Sequence, residues 1–225
     1  MNLTKSYEFF KPETVKDRIH IVGCGSVGSA LAIQLVRTGL TKITLWDMDV
    51  VDEHNLVNQQ YRRKDIGQPK VHALKDILLE INPDLEDGGL KLKPEGWHGE
   101  KLSGYVFLAV DSIEIRQQIV DQQFNDLSIK AMFDIRTLLT GAQHFAADWK
   151  DMQMKKDFRA SMEFSHEEAK EETPTSACGV TLGVVPTVLA ICALAVANFI
   201  QFAKGNGIKR TMILDVFQAS LMAFD

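Results

Sequence analysis

The chain is poor in cysteine, with three in 225 residues and no CxxC pair. That excludes a disulfide scaffold and a cysteine-rich zinc site, and it suits a reducing compartment. It has no excess of positive charge. Lys and Arg number 25 against 30 Asp and Glu, a net charge of −5, so no basic field calls for nucleic acid. The first 17 residues, MNLTKSYEFFKPETVKD, carry charge throughout and lack the apolar stretch of a signal peptide. Long hydrophobic runs are scarce, and one segment, residues 177–202, needs a membrane check because it has no charged side chain. A run of that length could cross a bilayer, which needs about 20 residues. Gly179, Gly183 and Pro186 interrupt its first third, however, and Thr181, Thr187, Asn198 and Gln201 are polar. We read it as a core helix over 187–203, started by Pro186, in a cytoplasmic protein with no membrane segment.

What is present is a globular composition. Apolar residues make up 45% of the chain, enough for a real core. Residues 1–17 read as an arm preceding one domain. A β-rich run over 18–22 (RIHIV) leads straight into GCGSVG, and Val27, Leu31 and Leu35 then recur four apart until Gly39 closes the helix. A second strand, KITLW over 42–46, ends at Asp47-Met48-Asp49. Strand, glycine turn, helix, strand is the βαβ unit of a parallel sheet. Further along, the spacing predicts a helix over 70–81, stopped by Asn82-Pro83, and a weak strand within 84–103. A buried strand follows over 105–110, then a helix over 113–124 and strands over 130–135 and 143–147. Residues 148–176 are charged and read as a mobile crossover loop or charged helix. TMILDVF, over 211–217, reads as the last strand. The expected fold is α/β and Rossmann-like, with a mostly parallel sheet and helices on both faces.

Gly23, Gly25 and Gly28 form a GxGxxG motif between a strand and a helix. Such glycines let the backbone approach a phosphate at a helix N-terminus. Asp49, 21 residues after Gly28, is placed to take a ribose hydroxyl. The motif alone does not separate ATP from NAD.

The next stretch separates them. Asp47-Met48-Asp49-Val50-Val51 is followed by Asn55-Leu56, Gln59 and Asp65-Ile66-Gly67-Gln68-Pro69-Lys70. This series resembles the D-x-D-x-V, N-L-x-R-Q and D-I-G-x-P-K elements of the ATP-dependent ThiF, MoeB and HesA adenylation family, which includes the ubiquitin-activating enzymes. Val110-Asp111 with Arg116 resembles its D-x-x-x-x-R element, and residues 179–202 with Ile213-Leu214-Asp215 resemble its late glycine loop, core helix and final strand. The resemblance covers nearly all of residues 18–218. It implies ATP- and Mg2+-dependent adenylation of a carboxylate, the C-terminal glycine of a ubiquitin-like or sulfur-carrier protein above all. It implies that Asp49 holds the ribose, that Asn55, Asn58 and Gln59 line the nucleotide site, that Lys70 neutralises phosphate charge and that Asp111 holds Mg2+. It implies a homodimer too.

The chain also departs from the pattern. Asn58 stands where the family usually has arginine, and no arginine precedes Arg18, although many dimeric members send one from an N-terminal arm into the partner's site. Arg62 or Arg63 is a candidate substitute. The paired zinc cysteines are missing, so no zinc is expected. Cys178, just before the late glycine loop, is either a reactive thiol or a packing residue, whereas Cys24 and Cys192 read as packing. Arg136 resembles the arginine near the family's acyl channel. Two rival readings stand beside the adenylating enzyme: a nucleotide-binding pseudo-enzyme or interaction module, and an NAD-dependent oxidoreductase.

Overall fold

A computed structural model of the chain describes residues 1–164 and 183–225. Eight strands form one mixed sheet in the order β3-β2-β1-β4-β5-β6-β7-β8. The strands are β1 Ile19–Val22, β2 Ile43–Trp46, β3 Leu90–Lys93, β4 Gly104–Leu108, β5 Ile129–Thr137, β6 Gly141–Asp148, β7 Thr211–Asp215 and β8 Ser220–Phe224. The first five are parallel, with Ile19 of β1 opposite both Ile43 and Tyr105. From β5 onward the sheet continues as an antiparallel meander.

Alternation along the inner strands fills two cores. Ile19, Ile21, Ile43, Leu45 and Phe107 face one side, where α1 (Ser26–Arg37), α2 (Lys70–Ile81) and α5 (Val185–Ala203) pack. Val22, Trp46, Val106 and Leu108 face the other, under α3 (Ile113–Gln123) and α4 (Met152–Ala160). Each fully buried Leu, Ile or Phe in these layers contributes about 1.5–3 kcal/mol. Phe107 stacks on Phe133 with centroids 4.7 Å apart, and Phe199 of α5 meets both edge-on, pinning α5 to the sheet. α5 carries no charge and is the one described helix long and apolar enough to span a bilayer, yet it packs as a core helix.

Two features, the N-terminal segment and the last strand, differ from the sequence reading. Residues 1–17 do not project. Phe10 is buried, Leu3 and Pro12 lie against Gly39, and the Met1 amino group meets Asp84 at 2.5 Å. Of the two alternatives for the charged stretch, its described part takes the helix over 152–160, and that helix is held down rather than loose, with Phe158 and Met162 in the second core. Lys155 is buried as well, donating to the Phe124 carbonyl at 2.8 Å and lying near the Phe124 and Trp149 rings. The final strand is not β7. A turn at 216–219, with Ala219 at φ 50°, returns the chain as β8 on the sheet edge. The sheet is mostly parallel as expected, with β1 through β5 running together, and β5 through β8 alternate in direction.

Candidate nucleotide-binding site

The C-terminal ends of β1, β2 and β4 open onto one edge of the sheet, the usual ligand crevice of such folds. The glycine turn joins β1 to α1. Gly23 has φ +94°, and a Cβ there would come within 2.6 Å of the Ala109 backbone. A Cβ at Gly28 would collide with the Gly23 carbonyl. These two glycines therefore close-pack the turn against β4 and the helix. Gly25 differs, since a Cβ there would meet nothing within 4 Å. Of the three it is the one that faces free space.

Both acids of the D-x-D segment belong to the turn's surroundings, with different roles. Asp47 Oδ2 accepts from Cys24 N–H at 2.6 Å and Oδ1 accepts from Asp49 N–H at 2.8 Å. Burial raises its pKa, while those two N–H donors and Lys70 pull the other way. Asp49 is 61% exposed, and its Oδ2 accepts from Lys70 Nζ at 2.8 Å. Lys70 is the reverse, its side chain only 8% exposed at the start of α2, with its N–H on the Asp49 carbonyl at 2.9 Å. The structure thus brings the turn, Asp49 and Lys70 together.

The segment between them is folded tightly. Asn55 is buried, and its Oδ1 accepts from Asp52 N–H at 2.8 Å in a reciprocal cap of a short 3-10 turn. Gln59 Oε1 is a buried acceptor with no hydrogen-bond partner among the described residues. Asn58 turns its amide toward Gly183, where a Cβ would lie 2.8 Å from Nδ2. Asp111 is exposed beyond the end of β4, and its charge supports the cationic Arg116. Cys178 lies outside the described residues. Cys24 and Cys192 are buried and burial raises both thiols, as packing cysteines require.

The candidate arginines are not equivalent. Arg62 binds Asp65 through Nε at 3.0 Å and Glu80 through Nη1 at 2.6 Å, so its fork is committed within the fold. Arg63 is 86% exposed and only 3.8 Å from Glu53. Arg136 is held by Asp134 at 2.7 Å and by Ser161, between the rings of Phe145 and Phe164. No group of three or more His, Cys, Asp or Glu able to hold a metal exists among the described residues.

The sequence reading gave Asp47 no role of its own and did not single out Tyr61 or Asp134. Tyr61 donates its hydroxyl to the Cys24 carbonyl at 2.6 Å, and Asp134 takes both Arg116 and Arg136. Only Asp47 had a visible signal, as the first acid of D-x-D.

The ThiF family profile matches residues 13–224. The chain belongs to the ThiF family. This ThiF-family chain is 36% identical over 86 residues to ubiquitin-like modifier-activating enzyme 5 of Caenorhabditis briggsae, a stretch covering 38% of this chain and 19% of that protein. It is 36% identical over 85 residues to the molybdopterin-synthase adenylyltransferase of Escherichia coli K12, covering 37% of this chain and 34% of that protein. The matched stretch therefore spans no more than about a third of either relative. Among solved structures, the fold is similar to PaaA, with a TM-score of 0.74 at 15% identity over 99% of this chain and 68% of that one. It is also similar to E. coli MccB solved with ATP, with a TM-score of 0.73 at 12% identity over 95% of this chain and 65% of that one.

Proposed function

We propose that this ThiF-family chain is an adenylyltransferase that uses ATP and Mg2+ to activate the C-terminal carboxylate of a ubiquitin-like or sulfur-carrier protein in the cytoplasm. The observation carrying this reading is the Asp49–Lys70 pair beside the open Gly25 turn. An exposed carboxylate suits a ribose, and a lysine anchored at a helix start suits phosphate charge. Gln59 Oε1, without a partner among the described residues, calls for a donor, and a nucleotide offers hydroxyl and amine hydrogens. ATP would supply the AMP group that makes a poor carboxylate electrophile reactive. Mg2+ is commonly held by one or two carboxylates plus phosphate oxygens, so a lone exposed Asp111 fits it. Relatives named as activating enzymes and adenylyltransferases support the carrier-protein substrate.

We also propose a homodimer. The solvent face of α5 is apolar at Leu189, Ala193 and Ala197, and Leu221, Met222 and Phe224 stand exposed on β8. Uncharged surface of this kind suits an interface.

The test is ATP–pyrophosphate exchange with Mg2+ and candidate Gly-Gly-terminated carriers. Exchange dependent on carrier and metal is expected, with ATP raising the melting temperature more than NAD. ATP binding without exchange would favour the second reading, a pseudo-enzyme, for which Asn58 at the family's arginine position argues. A larger shift with NAD would overturn both.

A further inference from the structure

Three successive peptide groups of the glycine turn are each gripped from outside it. The Gly23–Cys24 peptide donates its N–H to Asp47 Oδ2 at 2.6 Å. The Cys24–Gly25 peptide has its carbonyl on the Tyr61 hydroxyl at 2.6 Å. The Gly25–Ser26 carbonyl accepts from Ser29 Oγ at 2.6 Å, and that same hydroxyl accepts Gln60 N–H at 3.2 Å. Residues 60 and 61 thus reach across to the turn twice, once directly and once through Ser29. Asp47 continues the chain of bonds in the other direction, taking Asp49 N–H at 2.8 Å, and Asp49 in turn holds Lys70.

Geometry gives these bonds a consequence. In a trans peptide the C=O and the N–H point opposite ways, and the described residues contain no cis bond. Fixing the Cys24 carbonyl on Tyr61 therefore aims the Gly25 N–H away from Tyr61. Gly25 is the turn residue with open space around it. Glycine-rich backbone is otherwise free to rotate these planes, since glycine adopts several conformations at similar energy. Tyr61 is buried and its ring fits the core, while burial also keeps its phenol protonated as a donor.

We infer that Tyr61 and Asp47 are positioning residues: they lock the peptide planes of the glycine turn so that Gly25 N–H and Asp49 are preset for the phosphate and ribose of the nucleotide. The inference rests on the nucleotide reading above for its ligand. Asp47 is thereby assigned to the turn and Asp49 to the ligand, a division the D-x-D spacing leaves open.

Tyr61→Phe keeps the ring and removes one hydrogen bond. Its half-saturation for ATP should rise roughly tenfold while kcat changes less than about twofold, the split expected when a binding donor is misaimed. Asp47→Asn retains a single acceptor oxygen for two N–H groups and should act more strongly in the same direction. A readout independent of turnover is the Cys24 thiol, buried under the turn. Iodoacetamide labelling, followed by peptide mass spectrometry, should reach Cys24 at least fivefold faster in Tyr61→Phe than in the parent. Tyr105→Phe removes a hydroxyl from the core away from the turn and should move neither quantity. The inference is overturned if Cys24 protection is unchanged in Tyr61→Phe, if labelling accelerates with no loss of ATP affinity, or if Tyr105→Phe does the same. Should the parent fail to bind ATP at all, the nucleotide reading falls, while the Cys24 rates still report whether the turn is locked. Should Asp47→Asn not fold, Tyr61→Phe carries the test alone.

Discussion

Two lysine- or arginine-bound carboxylates stand near the same end of the sheet, and they are built in opposite ways. Asp49 reaches out from the loop after β2, 61% exposed, and meets the buried ammonium of Lys70. Asp134 lies inside β5, fully buried, and takes Arg116 on one oxygen and Arg136 on the other. Arg116 is tied further to the Val110 and Ile135 carbonyls, and Arg136 to Ser161. In the first pair the acceptor can exchange partners with a ligand while the lysine stays anchored. In the second nothing is left over to offer. Polar density near the crevice therefore divides into a part spent within the fold and a part whose acceptor is open to solvent, and exposure of the acceptor distinguishes them better than charge.

The sharpest way to break this comparison is to remove the buried acceptor. Asp134→Asn leaves two confined guanidiniums without their countercharge. Stripping one partner from a buried pair costs about 3–5 kcal/mol. Burial already lowers the Arg116 pKa against the support of Asp134, so the cation has little hydration to fall back on. Chemical denaturation should show a loss in that range, with nucleotide binding lost only as the fold is lost. A variant as stable as the parent would mean that the knot is dispensable.

A pH scan probes the buried class without mutation. His20 and His144 are buried, and burial lowers each imidazole pKa to about 4. His144 donates from Nδ1 to the Asp134 carbonyl and accepts from Asn198 at 3.0 Å, so protonating it breaks a contact. Both folded values lie below the ordinary 6.5, so as pH falls the unfolded chain takes up protons first. Stability should be full above about pH 6.5 and fall steadily toward pH 4, with each histidine costing about 2 kcal/mol at pH 5. Asp47, whose pKa is raised by burial, acts with the opposite sign and only partly offsets this. Urea midpoints at pH 7.5 and 5 check it, and His144→Gln should remove roughly half of the slope.

Much of this was legible in the sequence. Helix α2 runs over Lys70–Ile81 as the spacing predicts, because Pro69 and Asn82-Pro83 bound it and its apolar positions recur at helical period. The glycine turn, Asp49 and Lys70 were legible through ordered spacing. Strand β8 was not, since all five of its residues are exposed and no alternation marks a buried face. α4 was legible only as one of two alternatives, a charged helix or a loop, and its buried contacts were not. Only the structure shows Lys155 turned inward onto a carbonyl and two rings. Asp134 reads in KAMFDI as one acid in an apolar strand, because Arg116 reaches it from α3, 18 residues away, and Arg136 of its own strand bonds it only through side-chain geometry. Tyr61 was missed for the same reason, since its partner is 37 residues earlier.

Removing the exposed acceptor should reverse the Asp134 pattern. Asp49→Asn leaves the buried Lys70 ammonium an amide oxygen in place of a carboxylate beside water, so stability should fall by about 1–2 kcal/mol, less than in Asp134→Asn. ATP affinity should fall tenfold or more, as expected when a charged hydrogen-bond acceptor for a hydroxyl is neutralised. Calorimetric titration beside a melting curve reads both. A marked drop in melting temperature with intact ATP affinity would place Asp49 with Asp134 as a structural acid.

The smallest stability effect, and the finest division, concerns Arg62 and Arg63. They are neighbours in sequence, but Arg62 spends its fork on Asp65 and Glu80, whereas Arg63 stands 86% exposed with Glu53 at 3.8 Å. Arg63→Ala should therefore leave the melting temperature within the range of an ordinary surface change, about 0.5 kcal/mol. Arg62→Ala should cost more, because Asp65 is buried and would lose its guanidinium. Catalysis should sort them the other way. On the proposed function, with Asn58 in the family's arginine position, phosphate charge would be met by Lys70, by Mg2+ or by an exposed cation of the 53–65 segment, where Arg63 is the exposed arginine, 3.8 Å from Glu53. Pyrophosphate exchange should then fall about tenfold in Arg63→Ala at unchanged stability, and in Arg62→Ala only in proportion to the folded fraction. Equal exchange in Arg63→Ala and the parent would return the whole task to Lys70 and the metal, leaving the exposed arginine a solvated surface charge.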